Sequence, residues 1–169
     1  RAKPADTVSL SLEEEKNRLQ IQLKGQNVRT FNIPLINIEE NEHKIPSLDF
    51  KTKVVLPSTR FDDAVEDMSI VAESISLSTF PEKFIIKAES NMKDAKVEIV
   101  SSEETVIIID GEKMSSKYSL EYLKKVAKAS KLSDTVSLEF ADDYPLKAEY
   151  KLLDKLRLSF ILAPRVSND

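Results

Sequence analysis

Two acidic clusters, one histidine and a run of lysines are the residues whose types and spacing could support chemistry. Glu13-Glu14-Glu15 and the group Glu39, Glu40 and Glu42 bring carboxylates close together, as acid–base work would need. Both clusters fall in segments with turn or loop composition, where carboxylates are ordinarily solvated. Neither is therefore assigned a catalytic or metal-binding role. His43 is the single histidine of the chain, so a histidine-based triad would have to use it. Flanked by Glu42 and Lys44, it is expected to be an exposed loop residue. The two glycines, Gly25 and Gly111, cannot build a phosphate-cradling glycine loop. Cysteine is absent, which excludes disulfides and thiolate metal sites. No cofactor is implied. Lys124, Lys125, Lys128 and Lys131 remain, and helical spacing puts Lys124, Lys128 and Lys131 on one side. That geometry suits phosphate contacts, whose energy changes little along a duplex. The bland alternative is a solvated polar face opposite a buried one.

The elements that must position these residues are mostly strands. Apolar residues alternate with polar ones at Val8, Leu10 and Leu12, at Leu19, Ile21 and Leu23, and at Phe84, Ile86 and Ala88. The C-terminal third repeats the pattern with Val136, Leu138 and Phe140, with Leu146, Ala148 and Tyr150, and with Leu156, Leu158 and Phe160. Period-2 alternation predicts antiparallel strands with one buried face. Two segments switch to helical spacing. Phe61, Ala64, Val65, Met68 and Ala72 form one stripe, with Ser58 placed to cap it. Leu120, Leu123, Val126 and Ala127 form the other, in a helix over about 119–130 with Ser119 as its cap.

Residues 5–10 are ADTVSL and residues 133–138 are SDTVSL. Each copy is followed by three predicted strands, over about 6–12, 17–23 and 27–33, and over about 134–140, 145–152 and 155–162. Between the copies, residues 34–48 carry two prolines, an acidic centre and no clean period. A connector of that length is more often functional or interdomain than part of a compact core. From Asp49 onward the order is strand, helix and strands, then helix and three strands. This predicts an α+β architecture in which a βαβββ unit is used twice. The chain has 169 residues, 41% hydrophobic and 32% charged, enough for a packed core. No apolar run approaches the ~18 residues of a membrane span. The formal charge is −4, so any nucleic acid must be met by a local basic surface.

Several short motifs resemble the DNA sliding clamps of the proliferating cell nuclear antigen (PCNA) family, in a form most similar to archaeal members. LSFILAPRV at 158–166 resembles the family's terminal strand and tail. KLSDTVSLEFADDYPLKAEY at 131–150 is similar to the hairpin before it. VRTFNIPLINIEE at 28–40 and KIPSLDF at 44–50 resemble the entry and exit of its interdomain connector. The resemblance implies a DNA-clamp fold with antiparallel sheets and two helices per domain. It implies a non-enzymatic processivity factor, three subunits to a ring, homotrimeric or heterotrimeric, around sequence-independent duplex DNA. About the first third of a family member is unmatched. Residues 1–33 are accordingly expected to be remnant strands of an N-terminal domain, 34–48 the connector and 49–169 the C-terminal domain, the whole being a fragment.

The same resemblance distributes the site residues. Lys124, Lys128 and Lys131 would face DNA, whereas the first helix departs from the family with Asp62, Asp63, Glu66 and Asp67. Ile38, His43, Ile45, Pro46, Phe50, Pro145, Ile161, Leu162, Ala163, Pro164 and Val166 would form the pocket for a glutamine-plus-aromatic peptide, the PIP box. Partners carrying it include DNA polymerase, the clamp loader, flap endonuclease and DNA ligase. Val28 and Phe31 on one edge, and Lys96, Val97, Glu98 and Ile99 on another, would pair with neighbouring subunits. The location implied is on the chromosome, in the cytoplasm of an archaeal cell or in the nucleus of a eukaryote. A small carboxylate hydrolase and a β-rich interaction domain without DNA affinity are the rival classes.

Overall fold

The computed structural model describes residues 2–36 and 47–165. The chain divides into two compact units, 1–46 and 47–169. The first unit is a meander of β1 (Thr7–Glu13), β2 (Arg18–Lys24) and β3 (Val28–Pro34). Val8, Leu10 and Leu12 lie opposite Leu23, Ile21 and Leu19, and Ile21 and Leu19 lie opposite Phe31 and Ile33. Directly opposed residues share a face, so these eight apolar side chains line one side of the sheet. Leu23 is buried, while Val8, Leu10, Leu12, Phe31 and Ile33 are exposed. Asp6 ties the unit together at one end, accepting from the Lys3 amide at 3.0 Å and from the Arg29 guanidinium. A Cβ on Gly25 would lie 2.2 Å from Asp6 Oδ1, so glycine is what permits this close approach.

The second unit holds two antiparallel sheets and two helices. The five-stranded sheet runs β12 (Leu156–Leu162), β11 (Leu146–Leu152), β10 (Thr135–Phe140), β4 (Thr52–Pro57) and β8 (Val106–Ile109). The four-stranded sheet runs β7 (Asp94–Val100), β6 (Lys83–Glu89), β5 (Ser74–Phe80) and β9 (Met114–Ser119). Helix α1 (Ser58–Met68) connects β4 to β5, and α2 (Leu120–Ala127) connects β9 to β10. The βαβββ unit therefore does occur twice, as β4–α1–β5–β6–β7 and β9–α2–β10–β11–β12. Strand β8 is interposed between them. It was not anticipated, because Val106–Ile109 is an unbroken apolar run with no alternation.

The two copies of the DTVSL motif open equivalent strands. β1 and β10 both begin at the threonine after the aspartate, and both lead into a three-strand meander. Their surroundings differ. Val136, Leu138 and Phe140 are fully buried, packed with Phe61, Val65 and Leu123 from the helices in one core. Phe140 meets the rings of Phe84 and Tyr118, each at a centroid distance of 6.5 Å. Burying each such side chain is worth about 1.5–3 kcal/mol, so this shared layer dominates the stability of the second unit.

The helix starts correct two expectations. Ser58 is the first residue of α1 rather than its cap, and Pro57 precedes it. The Ser58 hydroxyl turns away from the helix and donates to the Ser133 carbonyl. Ser119 does precede α2, but its side chain makes no capping hydrogen bond. The second helix is also shorter than expected. It ends at Ala127, and Lys128–Lys131 form a 3-10 turn.

Candidate functional site

The lysine surface is built by α2 and the turn after it. Leu120, Leu123, Val126 and Ala127 are buried, which forces the intervening positions outward. Lys124, Lys125, Lys128 and Lys131 are all exposed. Lys128 and Lys131 sit one 3-10 turn apart, where residues i and i+3 eclipse, so they project from one side. Among the described residues neither has an ion pair. The Lys124 Nζ donates to Ser69 Oγ of the α1 end at 3.4 Å. Lys125 pairs with Glu121 at 2.8 Å. That contact, with the attraction between the two charges, raises the lysine's pKa and lowers the glutamate's. Helix α1 packs beside α2. Its Asp63, Glu66 and Asp67 are exposed, while Asp62 accepts from Ser130 Oγ at 2.9 Å. The basic and acidic helix faces are thus neighbours, with Arg60 of α1 held by Glu104 at 3.4 Å.

A second cluster forms where the chain enters β4, where β10 turns into β11, and where β12 runs out. Phe50, Pro145, Leu162 and Pro164 are each partly buried, and Ile161 and Ala163 are exposed. Leu146 lies opposite Leu162 and Lys147 opposite Ile161, so Pro145 and Ala163 are brought level at the ends of paired strands. Strand β9 anchors both segments by its outer edge. The Asp143 amide donates to the Ser115 carbonyl at 3.2 Å, and the Arg165 amide donates to the Lys117 carbonyl at 2.6 Å. Asp142 Oδ1 accepts from the Ser115 amide at 2.6 Å. Ile38, His43, Ile45, Pro46 and Val166 lie outside the described residues.

From this cluster a row crosses the outer face of the large sheet. Ile161, Lys147, Glu139, Lys53 and Ile108 are successive cross-strand neighbours. Burial pushes the Glu139 carboxyl up, but hydrogen bonds from Lys147 at 3.0 Å and Lys53 at 3.2 Å outweigh it and lower its pKa. Lys147 Nζ also stands 6.0 Å from the Phe50 ring centroid. A surface cleft of about 580 Å³ lies along this row, lined by Leu48, Phe50, Lys53, Ile108 and Glu139 among others.

The two expected pairing edges are unpartnered in their sheets. β3 closes one side of the small sheet and β7 one side of the four-stranded sheet. Val28 and Phe31 are exposed on β3. On β7, Lys96 and Glu98 are exposed and bridge each other at 2.8 Å. The β7 apolar residues differ from a simple outward display. Ile99 is buried in the core and Val97 packs against it, so the edge offers its backbone and charged residues rather than these side chains.

In the acidic cluster of the first unit Glu13 is already engaged, while Glu14 and Glu15 are exposed. Glu13 accepts from Arg18 and Gln20, both at 2.8 Å, and the Arg18 hydrogen bond leads in lowering its pKa. Glu39, Glu40 and Glu42 fall outside the described residues. No group of three or more His, Cys, Asp or Glu suited to a metal ion occurs among the described residues. No helix there is long and apolar enough to cross a membrane.

Comparison with known proteins agrees with this architecture. Residues 44–165 match the family model described as proliferating cell nuclear antigen, C-terminal domain. A DNA polymerase sliding clamp of Nanoarchaeum equitans is 43% identical over 165 residues, covering 96% of this chain and 66% of that protein. Its counterpart in Pyrococcus furiosus is 37% identical over 167 residues, covering 98% and 67%. The crystal structure of PCNA from Thermococcus kodakaraensis aligns with a TM-score of 0.82 at 30% identity, covering 97% of this chain and 67% of that one. The chain spans about two thirds of the length of the relatives it matches. On the match over residues 44–165 and the identity to these clamps along nearly its whole length, the chain belongs to the proliferating cell nuclear antigen family of DNA sliding clamps.

Proposed function

We propose that this chain serves as part of a DNA polymerase sliding clamp, a non-enzymatic processivity factor that encircles duplex DNA in a trimeric ring. The observation that carries this reading is the exposed lysine side of α2 and its 3-10 turn, opposite a fully buried stripe. Phosphate contacts from flexible lysines attract the duplex without fixing a position along it, as sliding requires. A closed ring cannot leave DNA sideways, so a docked polymerase gains from high effective concentration rather than from a tight bond.

Recruitment is assigned to the cluster of Phe50, Pro145, Ile161, Leu162, Ala163 and Pro164, together with Ile38, His43, Ile45, Pro46 and Val166. A PIP-box peptide would bury its aromatic anchors there. DNA polymerase, the clamp loader, flap endonuclease and DNA ligase are the partner classes expected. The edges at Val28–Phe31 and Lys96–Ile99 would extend a sheet between subunits, which also covers otherwise open strand edges. The setting is the chromosome of an archaeal cell.

The test is DNA association of the assembled protein across a salt series. Changing Lys124, Lys128 and Lys131 together to alanine is expected to weaken binding and to flatten the salt slope by roughly one unit per lost phosphate contact. Thermal stability should hold, since exposed helix substitutions usually cost about 0.5 kcal/mol or less. An unchanged slope with unchanged stability would reduce these lysines to a solvated face.

A further inference from the structure

We infer that Tyr144 is a positioning residue for the peptide pocket, a fixed post that holds the chain entering β4 against the β10–β11 turn. This rests on the pocket reading above and names a residue that reading does not include. Three observations converge on it. First, the backbone of Tyr144 is locked from behind. Its carbonyl accepts from the hydroxyl of the fully buried Tyr118 at 2.7 Å and from Ser116 Oγ at 3.2 Å. Second, the preceding Asp143 has φ +46. A left-handed non-glycine residue is uncommon, and here it redirects the chain so that the turn reaches β9 on one side while Tyr144 reaches β4's approach on the other. Third, the side chain grips that approach. Its hydroxyl accepts from the Asp49 amide at 3.3 Å, and its ring meets Phe50 edge-on with centroids 6.1 Å apart and planes at 81°.

The consequence is mechanical. Phe50 is held on one wall of the cluster and Pro145 follows Tyr144 on the other. Asp49 and Tyr144 are 95 residues apart in sequence, so this clasp joins walls that are otherwise linked by the sheet and by Lys147 over the Phe50 ring. A residue whose carbonyl is held by two hydroxyls, and whose own hydroxyl and ring engage Asp49 and Phe50, loses little further entropy when a ligand arrives. Pre-organisation of this kind raises affinity without adding a ligand contact. Tyr144 therefore acts through Phe50 and Pro145.

The experiment is calorimetric titration with a synthetic peptide carrying a glutamine, an aliphatic residue and two adjacent aromatics at PIP-box spacing. The parent protein is compared with Tyr144→Leu, Tyr144→Phe, Phe50→Ala, the Tyr144→Leu/Phe50→Ala double variant and Pro164→Ala. Tyr144→Leu keeps apolar bulk but removes the ring edge and hydroxyl, and should raise Kd about three- to tenfold. Tyr144→Phe keeps the ring and should restore most of that affinity. It should also accelerate hydrogen exchange at the Asp49 amide, which loses its acceptor. The double variant should be no weaker than Phe50→Ala alone, because Tyr144 works through that ring. Parent-like affinity in Tyr144→Leu, alongside weakened Pro164→Ala, overturns the Tyr144 role and leaves the pocket standing. Additive losses from Tyr144→Leu and Phe50→Ala also overturn it. A parent that does not bind the peptide, or a Pro164→Ala variant of parental affinity, refutes the pocket itself. If Tyr144→Leu does not fold, Tyr144→Phe decides, and an unchanged Asp49 exchange rate refutes the clasp.

Discussion

Replacing Glu149 with glutamine measures what one buried carboxylate contributes to the second unit. The Glu149 side chain is 5% exposed, at the centre of β11. Lys151 and Arg157 each reach it at 2.7 Å, and Ser159 Oγ donates at 3.0 Å. Burial pushes the carboxyl up, but the hydrogen bonds from Lys151, Arg157 and Ser159 prevail and bring its pKa from 4.5 to about 2. A shift of that size corresponds to roughly 3 kcal/mol at about 1.4 kcal/mol per unit. Lys151 and Arg157 are 61% and 66% exposed, so solvent screens part of it and about 2 kcal/mol is the expected contribution. The folded pKa lies below the unfolded one. The contribution is thus complete above the unfolded value and is lost as pH falls through the window from 4.5 towards 2. Glu149→Gln keeps the shape and removes the charge. Urea unfolding followed by the NMR signals of Tyr150 should give a parent–variant gap of about 2 kcal/mol at neutral pH. The gap should close steadily through the acid window. A gap that is absent at neutral pH, or that persists unchanged once both side chains are neutral, would refute the reasoning.

Three further outcomes can be checked separately. Changing Asp63, Glu66 and Asp67 to their amides should strengthen salt-dependent DNA association of the assembled protein, measured by the same salt series, if α1 shares the DNA-facing side with α2. Unaltered binding would place α1 away from DNA. Leu123→Ala should destabilise the second unit by about 2–5 kcal/mol, because Leu123 is fully buried in the layer between helices and sheets. Thermal or urea unfolding reads this directly. Gly25→Ala should cost the first unit about 1–3 kcal/mol, since the new Cβ displaces Asp6 from the Lys3 amide and Arg29. The β1 amides would then exchange faster.

Much of the strand order was legible because alternation is a direct consequence of a pleated sheet with one wet face. The meanders at β1–β3 and β10–β12 fall within a residue of their expected limits for that reason. Strand β8 escaped because four consecutive apolar residues hide their alternation, although Val106 and Ile108 prove exposed and Ile107 packs on the core. Ser58 reads as a cap from sequence because serine before an apolar stripe serves that role locally. Its hydroxyl is instead claimed by Ser133, 75 residues away, and such a partner leaves no local trace. The lysine spacing was visible, but the change from α to 3-10 geometry after Ala127 was not. Tyr144 carried only a weak signal, an aromatic between Asp143 and Pro145 in an expected turn. Its significance depends on Phe50, which periodicity cannot bring near it.

The open face of the β1–β3 sheet has a thermodynamic meaning beyond its geometry. In the second unit the same motif is capped by helices, and its stability is an intramolecular quantity. In the first unit Val8, Leu10, Leu12, Phe31 and Ile33 remain in contact with water, and a lone three-stranded meander has only one layer to draw on. Its folding free energy therefore depends on what covers that face, since apolar surface taken out of water there adds to the stability of the meander. The buried core of the second unit carries its own stability, whereas the β1–β3 meander draws its stability as much from its cover as from its strands.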